Sequence, residues 1–254
     1  MRSLFATVVC LCLLSLQSCA PVYVPTARNV PMFSKKGEAL ASASSGNAGF
    51  NVQGAAALTN HLFVAGTLQA ANNNLYRDRN DDGENRYRKH RAADFAVGYY
   101  LRSTVFFEAS GGIGVGKGYA QGTYDFLFFP GAHKTLSVDY TRYFIQAAIG
   151  SGGDYFEGAI SFRFSHLEFS SLDLTLDGQP EFISDRPRLF FEPALTGRVY
   201  PAANGFFINA QVGMCTGSQQ NENEVDEFEH SVIQVSFGAG YRFNRTTKRN
   251  SEKK

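Results

Sequence analysis

Hydrophobic and polar positions alternate with a period of two residues over most of the chain after Glu38. In the stretch 232–243 (VIQVSFGAGYRF), one face carries Ile, Val, Phe, Ala, Tyr and Phe, while the other carries Val, Gln, Ser, Gly, Gly and Arg. The stretches 188–200 and 205–215 alternate in the same way. Because the side chains of a β-strand point alternately to its two faces, this pattern predicts strands. No stretch shows the 3.6-residue period of an amphipathic helix.

The alternation predicts ten strands, most of them about ten residues long. They are expected at approximately 38–46, 50–58, 61–70, 91–101, 104–116, 134–149, 155–168, 188–200, 205–216 and 229–243. The sixth strand changes phase near 140–143, which predicts a β-bulge there.

The connections between these strands alternate in length. The short connections are 59–60, 102–103, 151–154 and 202–205, and the long polar ones are 71–90, 117–133, 169–187 and 217–228. The first hairpin, near 46–49, is short where a long loop is expected. Tight turns alternating with long hydrophilic loops are typical of a transmembrane barrel with periplasmic turns and external loops. The predicted fold is therefore all-β, a single up-and-down antiparallel transmembrane β-barrel of ten strands, or of eight if the first hairpin is not part of the wall.

The two faces of the predicted strands differ in a way that favours a membrane barrel. A soluble sandwich or soluble barrel would turn its apolar face inward and solvate a charged face. Here the less apolar face is poor in Lys and rich in Gly, Ser, Thr, Gln and Asn, which suits a crowded polar lumen. Its sparse charges nearly balance, as pairing of buried charges requires. These predicted lumen charges are Asp94, Glu108, Glu157, Arg163, Glu192, Arg198 and Arg242.

Aromatic residues recur near the ends of the predicted strands. They are expected to form girdles at the two membrane interfaces. The residues are Phe50, Tyr99, Tyr100, Phe106, Phe107, Tyr155, Phe156, Tyr200, Phe206, Tyr241 and Phe243.

The first residues are typical of an exported bacterial lipoprotein. Residues 1–18 combine an early cation with a short apolar run, which predicts a signal peptide. They close with Leu16-Gln17-Ser18-Cys19, a lipobox-like sequence, so Cys19 is the predicted lipidation site and acylation would anchor the chain stably. The predicted organisation continues with an extended, proline-containing tether at 19–37, the barrel at 38–243 and a charged periplasmic tail at 244–254. Removal of the signal leaves Cys215 with no disulfide partner.

The last strand carries a second export feature. Its polar residue, glycine and two aromatics follow the spacing of the outer-membrane assembly signal, which the barrel-assembly machinery reads by strand pairing. The four positions are Ser236, Gly238, Tyr241 and Phe243. The charged tail that follows departs from the usual pattern, in which the final aromatic residue ends the chain.

The amino-terminal third resembles a family of small uncharacterised outer-membrane β-barrel lipoproteins of Bacteroidota. The resemblance rests on Tyr23-Val24-Pro25, Asn29-Val30-Pro31-Met32-Phe33, Lys36-Gly37-Glu38 and Leu58-Thr59-Asn60-His61-Leu62. It covers roughly residues 16–70 and the final strand, and it implies a fold and an outer-membrane location but no activity. In that phylum acidic residues just after the lipidated Cys favour surface export. Ala20-Pro21-Val22-Tyr23 lacks them, so the resemblance implies an anchor on the periplasmic leaflet, with both termini periplasmic.

Charge and motifs exclude several functional classes. With 24 Lys+Arg against 23 Asp+Glu the net charge is +1, too small a basic excess for nucleic-acid binding. The glycines at 111–116 lie in a strand pattern, so they indicate close packing and not a phosphate loop. The acidic run 78–84 lacks the last glutamate of a calcium loop. His61, His90, His133 and His230 show no metal-ligand spacing, and no metal or cofactor is expected.

Three functional hypotheses remain open. The first is a non-enzymatic outer-membrane barrel with a structural, binding or limited-permeability role, a narrow lumen and no general porin conductance. The second is a lipid A-modifying enzyme that uses His166 with Glu168 and a serine from a neighbouring strand, since adjacent Ser165 would point to the opposite face. The third is a periplasmic lipoprotein with a soluble ligand-binding barrel. The expected partners are outer-membrane lipids, lipopolysaccharide and the barrel-assembly machinery, together with an unknown ligand of the external loops.

Overall fold

The computed structural model describes residues 22–77, 85–126, 129–183, 185–202, 205–217 and 230–245 of the 254-residue chain. Twelve strands form within these ranges: β1 Ala39–Gly46, β2 Gly49–Ala57, β3 Leu62–Arg77, β4 Asn85–Arg102, β5 Val105–Phe126, β6 Phe129–Gly152, β7 Phe156–Leu176, β8 Gln179–Glu181, β9 Arg188–Val199, β10 Phe206–Met214, β11 Thr216–Gly217 and β12 Ile233–Phe243. No helix in this part of the chain has the length and apolar character needed to cross a bilayer.

Ten of the strands close into an antiparallel barrel. The wall runs β9-β10-β12-β1-β2-β3-β4-β5-β6-β7, and pairing of β7 with β9 closes it. The short strand β8 extends the β7 hairpin beyond the wall, and β11 continues β10 alongside β9. The prediction of a ten-stranded up-and-down barrel is thus confirmed, and the first hairpin belongs to the wall, so the eight-strand alternative is wrong.

Apolar side chains cover the outside of the barrel, and polar side chains point inward. Leu68, Ile145 and Phe237 are 61%, 65% and 64% exposed on β3, β6 and β12. Along β9 the residues alternate between exposed Leu189, Phe191, Leu195 and Val199 and buried Phe190, Glu192, Ala194, Thr196 and Arg198. This distribution is the opposite of that in a soluble barrel, so the soluble-barrel alternative is wrong.

The strands on one side of the barrel extend well into segments predicted as loops. β5, β6 and β7 have 22, 24 and 21 residues, whereas β1, β2 and β10 have only 8, 9 and 9. The hydrogen-bonded ladder between β5 and β6 occupies almost all of the predicted loop 117–133. The sequence pattern predicts loops for these extensions because glycines and polar residues interrupt the apolar alternation there, although Leu172, Leu174 and Leu176 of β7 still alternate with polar residues.

The predicted bulge lies on a different strand. The pairing between β6 and β7 shifts between Asp139 and Tyr140, where Ser170 of β7 is the additional residue. β6 keeps its alternation through this region, so Tyr140 and Arg142 both point inward. The prediction of a phase change within the sixth strand was therefore wrong.

The predicted tether does not extend away from the barrel. Residues 22–33, here called the luminal segment, run through the interior of the barrel, and nearly every residue is buried. Tyr23 forms a parallel bridge with His230, just before β12, at the end of the barrel that carries the long hairpins (the loop end). Phe33 packs with Phe63 and Tyr100 at the opposite end, which carries the short connections (the turn end).

The two described ends of the chain consequently lie at opposite ends of the barrel. Val22 is at the loop end, whereas Arg245 follows β12 at the turn end and donates to the carbonyl of Gly153 in a short turn. The prediction that both termini share the periplasmic side is wrong for these described ends. Nothing in the alternation pattern could reveal this, because the luminal segment has no periodicity of its own.

Glycines paired with aromatic residues make room for rings inside the barrel. Each glycine lies directly opposite an aromatic residue of the neighbouring strand, and a Cβ on that glycine would approach the ring. The pairs are Gly98–Phe63, Gly112–Phe144, Gly116–Tyr140, Gly150–Phe106, Gly217–Phe190 and Gly240–Phe207. The predicted girdle residues Tyr100, Phe106 and Tyr200 are likewise buried inside, whereas Tyr99, Phe107 and Phe156 are exposed outside.

We expect Gly112→Ala to destabilise the barrel by about 1–3 kcal/mol, the usual cost of overpacking. Its Cβ would overlap the Phe144 ring and the carbonyl oxygen of Phe95, which belongs to the backbone and cannot rotate away. The measurement is the urea midpoint of unfolding in detergent micelles. Gly111→Ala is the matched control, because the nearest atom to its Cβ is 3.9 Å away. Equal midpoints for the two variants would contradict the packing argument.

Candidate functional site: a polypeptide segment bound inside the barrel

The luminal segment has an extended backbone whose polar groups are bound by side chains of the wall. An extended chain makes no internal hydrogen bonds, and Pro25 and Pro31 lack an N–H group altogether. Buried carbonyls still need donors. Side-chain amides supply them along the segment: Gln53 donates to the Ala27 carbonyl at 3.0 Å, Gln146 to Asn29 at 3.0 Å, Gln211 to Arg28 at 2.9 Å, and Gln69 and Gln234 both to Pro25.

Backbone N–H groups of the segment are bound in the same manner. The Arg28 N–H donates to Oε1 of Gln211 at 2.8 Å, so one glutamine amide binds both backbone groups of that residue. The Ala27 N–H donates to Oδ1 of Asn51 at 3.3 Å, and the Met32 N–H donates to Oε1 of Glu108 at 2.5 Å. The wall thus binds the segment as a strand would, but with side chains in place of a backbone partner.

Five charged side chains form a loop-side cluster in the half of the lumen nearer the loop end: Arg28, Arg142, Arg163, Asp94 and Glu192. Glu192 accepts from Nε of Arg163 at 2.6 Å and lies 3.2 Å from Nη2 of Arg28. Arg142 pairs with Asp94. All five side chains are at most 6% exposed. Three cations against two anions leave an excess of one positive charge.

Two hydroxyl groups of the luminal segment complete this cluster. The Tyr23 hydroxyl donates to Glu192 at 2.8 Å and accepts from Nη1 of Arg142 at 2.9 Å. The Thr26 hydroxyl donates to Asp94 at 2.5 Å and accepts from Nη1 of Arg163 at 3.0 Å. The segment therefore contributes one charge and two hydroxyls to a network that otherwise belongs to the wall.

A turn-side cluster, comprising Glu157, Arg198, Arg242 and Tyr200, binds the other half of the segment. Arg242 donates to both carboxylate oxygens of Glu157 at 2.8 Å, and Tyr200 donates to Oε2 of Glu157 at 2.8 Å. The guanidinium groups also donate to three consecutive carbonyls of the segment. Arg198 reaches Val30 at 2.6 Å and Pro31 at 3.0 Å, and Arg242 reaches Pro31 at 2.8 Å and Met32 at 3.2 Å.

The structure directs all seven predicted lumen charges inward. Asp94, Glu192 and Arg163 lie in the loop-side cluster, and Glu157, Arg198 and Arg242 lie in the turn-side cluster. Glu108 belongs to neither cluster and accepts from the Met32 N–H of the luminal segment.

Two arginines of the loop-side cluster were missed by the sequence analysis, each for a different reason. Arg142 was assigned no face because a bulge was expected next to it. Arg28 lies in the predicted tether, where no periodicity indicates a buried face. The single signal was its position between two prolines, Pro25 and Pro31.

The remaining candidate sites are placed as follows. In β12, Ser236 points inward, while the rings of Tyr241 and Phe243 lie outside with centroids 4.9 Å apart, and Gly238 is half-buried. Among the described residues no group of His, Cys, Asp or Glu could hold a metal ion. Cys19 and the acidic run 78–84 lie outside the described residues.

The residues considered for catalysis are placed as strand alternation requires. Nε2 of His166 lies 3.6 Å from Glu168 on the outer face of β7, while Ser165 is fully buried on the inner face. This opposition follows from the alternation of a strand and matches the expectation for adjacent residues.

Little space remains beside the luminal segment. A cavity of about 20 Å³ is lined by Asn29, Asp94, Gln146 and Arg163 together with apolar neighbours, and that volume accommodates about one water molecule. The arrangement can therefore bind an extended polypeptide tightly.

We expect Arg242→Met to lower the free energy of unfolding by about 3–5 kcal/mol, because it leaves Glu157 buried without its strongest partner. It also removes one of the two donors to each of the Pro31 and Met32 carbonyls. Urea unfolding in detergent measures the change. Lys117→Met is the control: its 2.7 Å pair with Asp139 is exposed, so the expected loss is at most about 1 kcal/mol. Similar losses for both variants would contradict a role of the turn-side cluster in holding the structure together.

Comparison with known proteins gives similarity in fold alone. No family model and no curated protein sequence matches the chain. It is similar to the translocator domain of autotransporter NalP from Neisseria meningitidis, with 12% identity, a TM-score of 0.41 and coverage of 82% of this chain and 87% of that one. It is also similar to OmpTdeltaL8, a loop L8 deletion mutant of OmpT, an outer membrane protein of Vibrio cholerae, with 10% identity, a TM-score of 0.28 and coverage of 82% and 97%. At these scores neither similarity carries an argument about activity.

Proposed function

We propose that this protein is an outer-membrane β-barrel lipoprotein with a structural or binding role, whose lumen is closed by its own amino-terminal segment. One observation carries the proposal: a barrel that is apolar outside and charged inside holds residues 22–33 through two arginine–carboxylate clusters. The barrel would act as a stable membrane-embedded support for its external hairpins and not as a channel.

The polarity of the two surfaces supports insertion in a membrane. Exposed Leu, Ile, Val and Phe side chains surround the wall, while Arg142, Arg163, Arg198 and Arg242 are buried inside. In water this distribution would expose a large apolar area at about 25 cal/mol per Å² and desolvate the charges as well. In a bilayer the same distribution is favourable, and a closed barrel satisfies every wall hydrogen bond without an edge. The short connections then face the periplasm.

The size of the barrel supports closure by the segment. About eight strands enclose an interior that side chains alone can fill, and the diameter grows with strand number. With ten strands, additional space is available, and the luminal segment occupies it. Because the segment is bound along its length, the wild-type lumen is closed to ions at rest.

Catalysis is not part of the proposal. Ser165 and His166 point to opposite sides of the wall, and the polar lumen is occupied by the luminal segment, so the proposal assigns no catalytic role to either residue. The proposed partners are outer-membrane lipids, lipopolysaccharide and the barrel-assembly machinery, the last through the sequence pattern in β12. We propose that the binding role belongs to the external hairpins, which would bind a ligand.

The lipobox-like sequence supports acylation of Cys19. We expect Cys19→Ala to lose incorporation of labelled palmitate while the protein stays in the membrane fraction at high salt and alkaline pH, since the barrel itself holds it there. Fractionation followed by immunoblotting measures this. Release of the variant into the soluble fraction would overturn the membrane barrel, and unchanged incorporation would overturn acylation at this residue.

In planar bilayers we expect the wild-type protein to give no stable unitary currents, whereas deletion of 22–33 opens the lumen and gives stepwise currents. Deletion of 246–254 removes a stretch of similar length outside the barrel domain and is the control, expected to stay silent. Heat-modifiable migration on unboiled gels verifies that each barrel is folded.

Should the 22–33 deletion fail to fold, Gln53→Ala with Gln211→Ala removes three of the amide contacts to the segment. This double variant is expected to show brief openings. Large stable currents from the wild-type protein, or silence from a folded 22–33 deletion, would contradict closure by the segment.

A further inference from the structure

The direction of the luminal segment determines on which side of the membrane the chain begins. At its amino-terminal end Tyr23 accepts from the Ser231 N–H at 2.9 Å, and its ring packs on Tyr140 and Phe190 with centroids 5.5 and 4.8 Å away. These partners flank the long hairpins. The carbonyl of Val22 also lies against Gly118, where a Cβ would overlap it. Val22 is therefore fixed at the loop end.

The other end of the segment is fixed equally firmly at the short connections. Met32 and Phe33 precede a turn in which the Gly37 N–H donates to the Ala57 carbonyl at 2.9 Å. The Lys36 N–H donates to Asn60 at 3.1 Å, beside the first short turn of the wall. From here the chain enters β1. The segment thus crosses the barrel from the loop end to the turn end.

The short stretch of chain before Val22 limits how far Cys19 can be from the loop end. Cys19 lies three residues ahead of Val22, and three extended residues span at most about 11 Å. The apolar band of an outer-membrane barrel is about 25 Å tall. Three residues are therefore too few to lead from Val22 back to the leaflet at the turn end.

We propose that the mature amino terminus, with Cys19, lies on the outer, loop-bearing side of the membrane, and that acyl chains on Cys19 enter the outer leaflet. The chain would then pass inward through its own barrel before forming β1. This inference rests on the proposed membrane orientation of the barrel. It replaces the periplasmic anchor that the absence of acidic residues after Cys19 implied.

The loop end of the barrel differs in height around the wall. The wall is short where β10, β12, β1 and β2 meet, with strands of 8 to 11 residues, and it rises on the opposite side, where β5, β6 and β7 have 21 to 24. The tight hairpin between Gly46 and Gly49 belongs to the low side. Tyr23 is bridged to His230, which immediately precedes β12 on that same side. Val22, the residue before Tyr23, lies against Gly118 of β5 on the tall side.

The test is cysteine labelling of whole cells with a membrane-impermeant maleimide. All variants carry Cys215→Ala, and that single substitution is the blank. Pro21→Cys probes the amino terminus, Asp185→Cys probes an exposed position at the loop end, and Lys36→Cys probes an exposed position at the turn end. We expect Pro21→Cys and Asp185→Cys to be labelled above the blank on intact cells. Lys36→Cys should be labelled only after the outer membrane is permeabilised.

Failure of this inference and failure of the membrane orientation give different results. Labelling of Asp185→Cys on intact cells with Pro21→Cys labelled only after permeabilisation would overturn the outer amino terminus while leaving the barrel orientation intact. Labelling of Lys36→Cys but not Asp185→Cys on intact cells would overturn the orientation itself.

Discussion

A charge inside a barrel that excludes water must be neutralised at contact distance, and this constraint explains most of the interior. Each buried carboxylate of the two clusters contacts at least one guanidinium group. Arg163, Arg198 and Arg242 also donate to backbone carbonyls of residues 22–33, and Arg142 donates to hydroxyl groups of the same segment. An isolated buried ion would cost several kcal/mol. The luminal segment is therefore a structural part of the charge network, because its carbonyls accept hydrogen bonds from guanidinium N–H groups that do not bond to a carboxylate.

The same segment gives the ten-stranded barrel an interior that is almost solid. Its apolar residues add to two small hydrophobic groups at the ends of the lumen, one around Tyr23 and Tyr140 and the other around Phe33 and Phe63. Between these groups most contacts are polar, except where Val30 and Met32 pack with Phe106, Ala148 and Ala159. Glycines opposite aromatic residues let the rings lie flat on the inner wall, which leaves a channel that one extended chain fills. Wall and segment are thus complementary in both volume and hydrogen bonding.

The sequence predicted the wall much better than its contents. Period-two alternation identified ten strands and separated Leu195 from Glu192, because both faces of a strand are encoded locally. The luminal segment was not predicted, since its stability depends on glutamines and arginines more than twenty residues away in the chain. Proline-rich sequence without periodicity is common to exposed tethers and to bound extended chains. Arg142 was lost to a bulge that lies at Ser170, a register shift that only the pairing of β6 with β7 reveals.

The covalent joint between the luminal segment and β1 has a kinetic consequence. Only residues 34–38 separate Phe33 from the first wall strand, and the Ser34 N–H donates to the Glu38 carboxylate at 2.9 Å. A short linker of this kind keeps a displaced ligand at an effective concentration on the order of millimolar. Any departure of the segment from the lumen would accordingly be followed by rapid rebinding, so the open state of the lumen would be short-lived.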